Sequence, residues 1–344
     1  MSTGETSPKP SSGPCRGIAG RLIEAYAGVV ASYEGASLEE FARQGFLAQR
    51  AAEASAAGQD AEEALQEEGC SYGEALARVI AGGDRMVAVG AGAVAAKGML
   101  LAQANNAYFY GPGGAARPPE DVLVPREPAV DVTDEVASLE VSAEDSCAEL
   151  GKARALLVQA GLNAVTLNPT SETFDDQTTE KGRAVTAAEN RSGCSRYELS
   201  RALLEALDGV EAVGFAANSR YGEVVKDAWL DVQDRLVEIE LDVSVTAHPK
   251  DGTVGDAVRI DYAVENEGTV PLGGVQLQDV DGKAVDDPIP LLAPRSTQLI
   301  SEIVELTEDD VPRREVGVQV TASGPFGRQT GVGYTTIFVR VRPK

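Results

Sequence analysis

The side chains best suited to chemistry in this sequence are four cysteines and a single histidine. Cys15, Cys70, Cys147 and Cys194 lie far apart, and no two of them form the Cys-x2-Cys pair that is common in zinc and iron–sulfur sites. Each cysteine lies near a predicted helix start, where the helix dipole favours a thiolate, but His248 lies too far along the chain to pair with one by sequence. We therefore expect structural thiols, with one or two disulfides as the alternative, and a loop histidine.

A cluster of aspartates forms a second candidate, a weak cation site. Its members are Asp279, Asp281, Asp286 and Asp287. An EF-hand needs a D-x-D-x-D-G pattern, and Gly282 comes too early for it. We expect a solvated acidic loop here, with weak cation binding as the alternative. Elsewhere the sequence predicts no catalytic residue, no metal site and no cofactor.

A run of small residues at 86–104 is the third candidate, because glycines from Gly90 to Gly98 resemble a phosphate-binding loop in composition. No G-K-[ST] follows them, so a P-loop is excluded. The run predicts a tightly packed internal helix, and a subunit contact is the main alternative. Membrane insertion is the third possibility, although Lys97 interrupts an apolar stretch that is already too short to span a bilayer.

The charge balance limits the classes of partner and host. The chain carries 54 acidic and 30 basic residues, a net charge of −24, and lysine is scarce. This composition resembles proteins of salt-loving archaea, because molar salt reduces the Debye length to about 3 Å and screens the repulsion. An acidic protein of a mesophile or a high-GC bacterium is the alternative. The excess of carboxylates argues against nucleic acid as a partner.

Periodicity and composition divide the chain into five segments. They are a flexible tail (1–15) without a secretion signal, a helical assembly region (16–110), a Pro/Gly-rich arm or linker (111–130), an α+β region (131–236) and a β-rich domain (237–344). The predicted fold class is α+β multidomain. No apolar run reaches the length of a membrane-spanning helix.

Capping signals mark helix starts in the helical assembly region. Ser37 with Glu40 and Ser71 with Glu74 each have the spacing of a capping box. In the α+β region, the apolar spacing predicts helices near 144–160, 195–208 and 222–235.

Short apolar runs in the α+β region predict strands at 130–141, in NAVTLNP and in VEAVGFAAN. The segment Cys147–Leu157 also aligns with Cys194–Leu204 without gaps. The match suggests a duplicated helix–strand unit, with chance similarity between alanine- and leucine-rich helices as the alternative.

After residue 237 the apolar period changes from 3.6 to 2. Alternating runs separated by Gly, Pro, Asp and Asn predict about seven short strands, in an antiparallel β-sandwich of immunoglobulin type. The segment Val254–Leu272, VGDAVRIDYAVENEGTVPL, resembles the opening of conserved-repeat and cell-adhesion-related immunoglobulin-like domains of prokaryotic surface proteins. Gly274–Asp279 and the segment after Leu292 are also similar to them, with Arg295 in place of the usual glycine. The resemblance implies an immunoglobulin-like fold and a spacer, stalk or adhesion role.

Together these features predict a structural protein and not an enzyme. The leading hypothesis is a virion subunit (capsid, decoration or turret) of a haloarchaeal virus, which binds copies of itself and neighbouring subunits but no nucleic acid. A host surface is a further candidate partner for the C-terminal domain. One alternative is an adhesion or receptor-binding surface module; a second is a cytoplasmic enzyme with an accessory β-sandwich and a polar pocket in residues 130–236. The predicted localisation is the virion, with the cytoplasm as the alternative.

Overall fold

Among the described residues of the computed structural model, helices predominate in the first two thirds of the chain and strands in the last third. The structure describes residues 13–44, 60, 63–64, 67–68, 71–111, 118, 122, 130–167, 179–280, 282–323 and 329–344. The predicted order, N-terminal helices followed by C-terminal strands in a mixed fold, is confirmed. Most of the predicted tail and most of the predicted arm lie outside the described residues.

The helices are α1 (Gly13–Ala31), α2 (Leu38–Gln44), α3 (Tyr72–Ala81), α4 (Ala91–Tyr110), α5 (Thr133–Ser138), α6 (Cys147–Leu167), α7 (Glu180–Arg191), α8 (Arg196–Ala206) and α9 (Gly214–Leu236). The strands are β1 (Leu241–His248), β2 (Asp251–Thr253), β3 (Ala257–Asn266), β4 (Leu272–Asp279), β5 (Ile289–Leu292), β6 (Ser296–Glu305), β7 (Arg313–Ser323) and β8 (Gln329–Arg342). The described residues form two compact units, those within 1–41 and 53–233 (the helical unit) and those within 42–52 and 234–344 (the β unit).

Helix α4 is buried along most of its length, as expected of a helix that is apolar on every side. Its small residues let α9 approach closely. A Cβ atom on Gly98 would lie 2.1 Å from Cγ1 of Val225, and one on Gly222 would lie 2.9 Å from Cβ of Leu101. The small-residue run is therefore an internal packing surface of the helical unit. Among the described residues, no helix has both the length and the apolar character needed to cross a membrane.

The first predicted capping box forms and the second does not. Oε2 of Glu40 accepts a hydrogen bond from the backbone N–H of Ser37 (2.8 Å), and the Ser37 hydroxyl accepts one from the N–H of Glu40 (3.1 Å). The side chain of Ser71 makes no capping bond, and the carboxylate of Glu74 forms an ion pair with Arg78 at 3.0 Å.

The strands predicted in residues 131–236 are wrong, because the described residues of this region are helical or irregular. Helix α5 occupies much of the first predicted strand, and α6 continues through the NAVTL segment to Leu167. Short apolar runs do not distinguish a strand from a buried helix. Here the hydroxyl of Thr166 donates to the carbonyls of Leu162 (2.8 Å) and Val213 (3.0 Å), which supports the longer helix.

The two aligned cysteine segments are neighbours in space. Cys147 and Cys194 form a disulfide, so the expectation of free structural thiols is wrong for this pair and the disulfide alternative is confirmed. Helices α6 and α8 pack closely where Gly151 faces Ala202: a Cβ atom on Gly151 would lie 2.6 Å from Cβ of Ala202. The similarity therefore corresponds to two packed helices, without the strands of a helix–strand unit. The side chains of Cys15 and Cys70 lie outside the described residues.

The β unit contains a three-stranded sheet, ordered β1-β3-β6, and a five-stranded sheet, ordered β2-β8-β7-β4-β5. Pairing is antiparallel except between β2 and β8. Alternate residues of the strands point inward and form one apolar core that includes Val243, Ile260, Leu277, Val318 and Val339. The intervening residues of β7 and β8 face outward, and some of their side chains form the candidate functional site.

Candidate functional site

Three of the four aspartates of the predicted weak cation site lie in the described part of the chain. Oδ1 of Asp279 accepts a hydrogen bond from the backbone N–H of Lys283 (2.8 Å) and closes the turn after β4. Asp286 accepts a bond from the N–H of Asp287 (2.8 Å), and Asp281 lies outside the described residues. No group of three His, Cys, Asp or Glu side chains suited to a metal occurs among the described residues.

His248 lies at the exposed end of β1. Its Nε2 is 3.7 Å from Oδ2 of Asp261. Hydrogen bonding from Ser301, assisted by Arg259, holds the pKa of the Asp261 carboxyl below its ordinary value. The carboxylate is thus engaged by a hydroxyl and a guanidinium, and His248 is a peripheral member of the group. His248 is the last residue of a strand, paired with Arg259, and is not the loop histidine expected from the sequence.

Positive charge is concentrated at the end of the chain, although the whole chain is strongly acidic. Residues 311–344 contain six Arg or Lys residues and one glutamate. Three basic side chains line a cleft of about 510 Å³ at one end of the five-stranded sheet. We call this the cationic cleft; its lining residues are Lys250, Asp251, Pro312, Arg313, Phe338 and Arg340.

Strand register brings these residues together from three places in the sequence. Arg313 of β7 and Arg340 of β8 are direct cross-strand partners. Strand β2 runs parallel to β8 with Asp251 opposite Arg340, and the N–H of Arg340 donates to the carbonyl of Lys250 at 3.2 Å. Because Val339 and Val341 point into the core, Phe338 and Arg340 must point outward.

The charges in the cationic cleft are not balanced. Asp251 is its single carboxylate, and this group forms an ion pair with Arg342 at 2.6 Å. Within the described residues, Lys250, Arg313 and Arg340 have no carboxylate at ion-pairing distance. The guanidinium of Arg313 instead lies over the ring of Phe338, 4.5 Å from its centroid. The cleft is therefore a local positive region with an aromatic wall.

The net charge of the whole chain hides this cleft, because it sums over acidic residues that lie elsewhere. The local signal was present: residues 311–344 are basic, and their alternating pattern predicts which side chains share a face. The contribution of Lys250, from the distant β1–β2 turn, depends on strand pairing that no local pattern specifies.

The helical unit also has a groove, of about 410 Å³, between α6, α7, α8 and α9. Its charges are paired. Arg154 forms an ion pair with Glu189, and Nε of Arg196 lies 2.8 Å from Oδ2 of Asp231. Asp231 also accepts a hydrogen bond from Ser200 (2.8 Å). The ion pairs hold helices together and leave a largely apolar floor between them.

Comparisons with known proteins give little further information. No protein-family model and no curated protein matches the chain. Among solved structures, the chain is similar to the alkylpurine DNA glycosylase AlkC of Pseudomonas fluorescens, bound to DNA containing an abasic site analog. The two share 12% identity over 96% of this chain and 100% of that chain, with a TM-score of 0.18.

This finding contradicts the function predicted from the sequence. The similar protein is an enzyme in complex with DNA, so the predictions of a virion structural subunit, of no enzymatic activity and of no nucleic acid partner are wrong and are not carried further. At a TM-score of 0.18 and 12% identity, neither the activity nor the DNA substrate of that protein can be transferred to this chain. Its function has to be inferred from its own residues.

Two physical reasons explain why the rejected predictions fail. A net charge of −24 is a sum over the chain, and it does not exclude a basic surface formed by residues 311–344. The small residues from Gly90 to Gly98 suit close packing between subunits, but they lie at the start of a helix that is buried within the helical unit. Neither feature therefore indicates a multi-chain particle.

Proposed function

We propose that the β unit binds an anionic group, a phosphate, sulfate or carboxylate, in the cationic cleft. The observation that carries the proposal is the convergence of Lys250, Arg313 and Arg340 without a carboxylate partner among the described residues. The chain has 54 acidic residues that could have supplied a partner. Elsewhere in the described residues, most arginines pair with one of them.

Energetics support an anion as the missing partner. Like charges directly opposite each other on neighbouring strands destabilise a sheet, and Arg313 and Arg340 are in that arrangement. A bound anion would turn this repulsion into two charge-assisted contacts. Arginine is suited to the task because its planar fork of donors matches the oxygens of phosphate and carboxylate groups.

The geometry also favours an anion with an attached apolar or planar group. Phe338 forms one wall of the cleft and is 51% exposed, so part of its surface is accessible beside the cations. Asp251 does not neutralise the positive charge of the cleft, because its carboxylate forms an ion pair with Arg342. The cleft thus combines charge with one aromatic contact.

The test is calorimetric titration of the full chain with pyrophosphate, at the lowest salt at which circular dichroism shows the chain folded. We expect binding by the wild type and a loss of at least about tenfold in the double variant Arg313→Gln/Arg340→Gln. Arg259→Gln is the matched control, since Arg259 is an exposed arginine of the same unit that pairs with Asp261 (3.0 Å). Absence of pyrophosphate binding, or equal affinity in the double variant, would reject the proposal.

We also propose that the β unit is an immunoglobulin-like module, as the resemblance in its sequence implies. Two largely antiparallel sheets around one core support this. Two backbone details support it as well: Gly255 has φ +95°, and Arg295, at the position where the resembled domains have glycine, has φ +54°. An experimental structure of the β unit tests the proposal, and a single closed or half-open barrel in place of two facing sheets would reject it.

A further inference from the structure

The outer face of strands β7 and β8 continues from the cationic cleft as an aromatic surface. Residues of β8 that point away from the core include Tyr334, Thr336 and Phe338, and the two aromatic side chains are 62% and 51% exposed. Along the strand, Tyr334 and Phe338 are separated by roughly 13 Å, and Phe338 and Arg340 by roughly 7 Å. One strand therefore presents two rings and then a cation, all on the same side.

Gly317 on β7 lies beneath neighbouring side chains of this surface. It is the cross-strand partner of Thr336, and it carries no side chain between the two strands. A Cβ atom there would lie 2.6 Å from Cγ1 of Val280, 3.2 Å from the hydroxyl of Thr336 and 3.3 Å from that of Tyr334. The side chain of Tyr334 therefore extends across β7 toward Gly317, and it remains 62% exposed.

Rings on a sheet face beside a row of cations suit one class of ligand. Proteins that bind single-stranded nucleic acid without reading its sequence combine a positively charged track for the phosphates with aromatic side chains on which bases stack. A duplex fits less well, since its bases are stacked on each other and unavailable to Tyr334. The described part of this face carries one carboxylate, Glu315, opposite Phe338.

We infer that this face, with the cationic cleft at its end, binds single-stranded nucleic acid, with a base stacked on Tyr334 and a backbone phosphate held by Arg313 and Arg340. The inference rests on the proposed anion site and identifies its ligand class. The acidity of the remaining chain makes binding weak and strongly dependent on salt, because the phosphate contacts release counterions whereas the stacking contact does not. The two contributions can therefore be measured separately.

The experiment is fluorescence anisotropy of a labelled deoxythymidine decamer with the full chain, over a series of salt concentrations. We expect Tyr334→Ala to bind the decamer about tenfold more weakly at every salt concentration. The double variant Arg313→Gln/Arg340→Gln is expected to reduce the slope of log K against log salt. Tyr110→Ala is the matched control, because Tyr110 is an exposed tyrosine (86%) of the helical unit; it should bind as the wild type does.

Competitors and the pyrophosphate titration distinguish the outcomes. Displacement of the decamer by unlabelled single strand, and much less by the same sequence as duplex or by a sulfated polysaccharide, supports the inference. Wild-type affinity in Tyr334→Ala, or equal displacement by the polysaccharide, overturns it. If the chain binds pyrophosphate but not the decamer, the inference is overturned and the proposed anion site is retained. If Tyr334→Ala loses pyrophosphate binding, the variant disturbs the cleft, and its weaker decamer binding no longer supports stacking.

Discussion

The β unit differs from the helical unit in one group of positive charges, although other arginines of the β unit, such as Arg259 and Arg342, do pair with carboxylates. In the helical unit, arginines such as Arg78, Arg154 and Arg220 lie beside carboxylates on the same or a neighbouring helix. In the β unit, Lys250, Arg313 and Arg340 gather on one surface without such a partner among the described residues. A paired cation is explained by the fold, whereas a group of unpaired cations in an acidic protein calls for a ligand.

The largest expected effect on stability comes from a variant that breaks an ion pair in the helical unit. Arg154 and Glu189 are both mostly buried, and Arg154→Met would leave Glu189 as an uncompensated charge. We expect the free energy of unfolding to fall by about 3 kcal/mol, measured by urea denaturation. The double variant Arg154→Met/Glu189→Leu is the control and should recover most of the loss. A single variant as stable as the wild type would contradict the role given to pairing.

The next effect concerns Lys97, a cation of the helical unit that lies over the ring of Tyr221 at 5.0 Å. Burial lowers the pKa of Lys97 to about 8 from its ordinary 10.5, although Asp84 and Glu211 oppose the shift. The folded chain therefore releases this proton at lower pH than the unfolded chain. Stability rises across this window as pH increases, and the full penalty is present below about pH 8.

Replacing Lys97 with methionine removes that penalty and keeps an unbranched side chain in the core. We expect Lys97→Met to raise the unfolding free energy by about 2 kcal/mol at pH 7. The gain should shrink as pH passes from about 8 to 10.5, because the wild type then loses the charge as well. Denaturation series at several pH values measure this, and a gain that is independent of pH would show that packing alone is responsible.

A smaller effect tests whether pairing matters on the surface of the β unit. Arg295 lies 3.4 Å from Glu238, but both side chains are exposed and the backbone of Arg295 has φ +54°. An exposed pair contributes little, whereas a left-handed conformation is costly for any residue with a Cβ. We therefore expect Arg295→Gly to raise stability by about 0.5 kcal/mol, since part of the relief is offset by the entropy of glycine in the unfolded chain. Thermal denaturation of Arg295→Gly is compared with that of Arg295→Ala, which removes the ion pair but keeps the left-handed strain. The comparison separates the relief of strain from the loss of the ion pair.

The smallest expected effect is in the cationic cleft itself. If Arg340 repels Arg313 across the strands, Arg340→Gln should leave stability unchanged or raise it by up to about 0.5 kcal/mol at low salt, and the gain should vanish at high salt. This is the opposite sign from Arg154→Met. A clear loss of stability in Arg340→Gln would mean that the cleft is a structural network and would weaken the contrast between the units.

Much of the secondary structure could be predicted from periodicity, because a period of 2 or 3.6 is a property of local sequence. The alternating run around Val258 and Ile260 lies in β3, and the spacing from Val224 to Leu236 lies in α9. Prediction failed in 131–236 because short apolar runs fit a strand or a buried helix equally well. There the packing around Thr166 decides for the helix.

In the candidate site, the part that local sequence predicts and the part that depends on strand pairing can be told apart residue by residue. Local sequence is enough to predict which residues of β8 share a face, since side chains alternate along any strand, and to show that residues 311–344 are basic. Strand pairing is needed to place Arg313 opposite Arg340 and to bring Lys250 beside them. The tertiary structure likewise brings Cys147 beside Cys194. The physical reason is that register and chain crossing depend on how a whole core packs, and no short stretch of sequence contains that information.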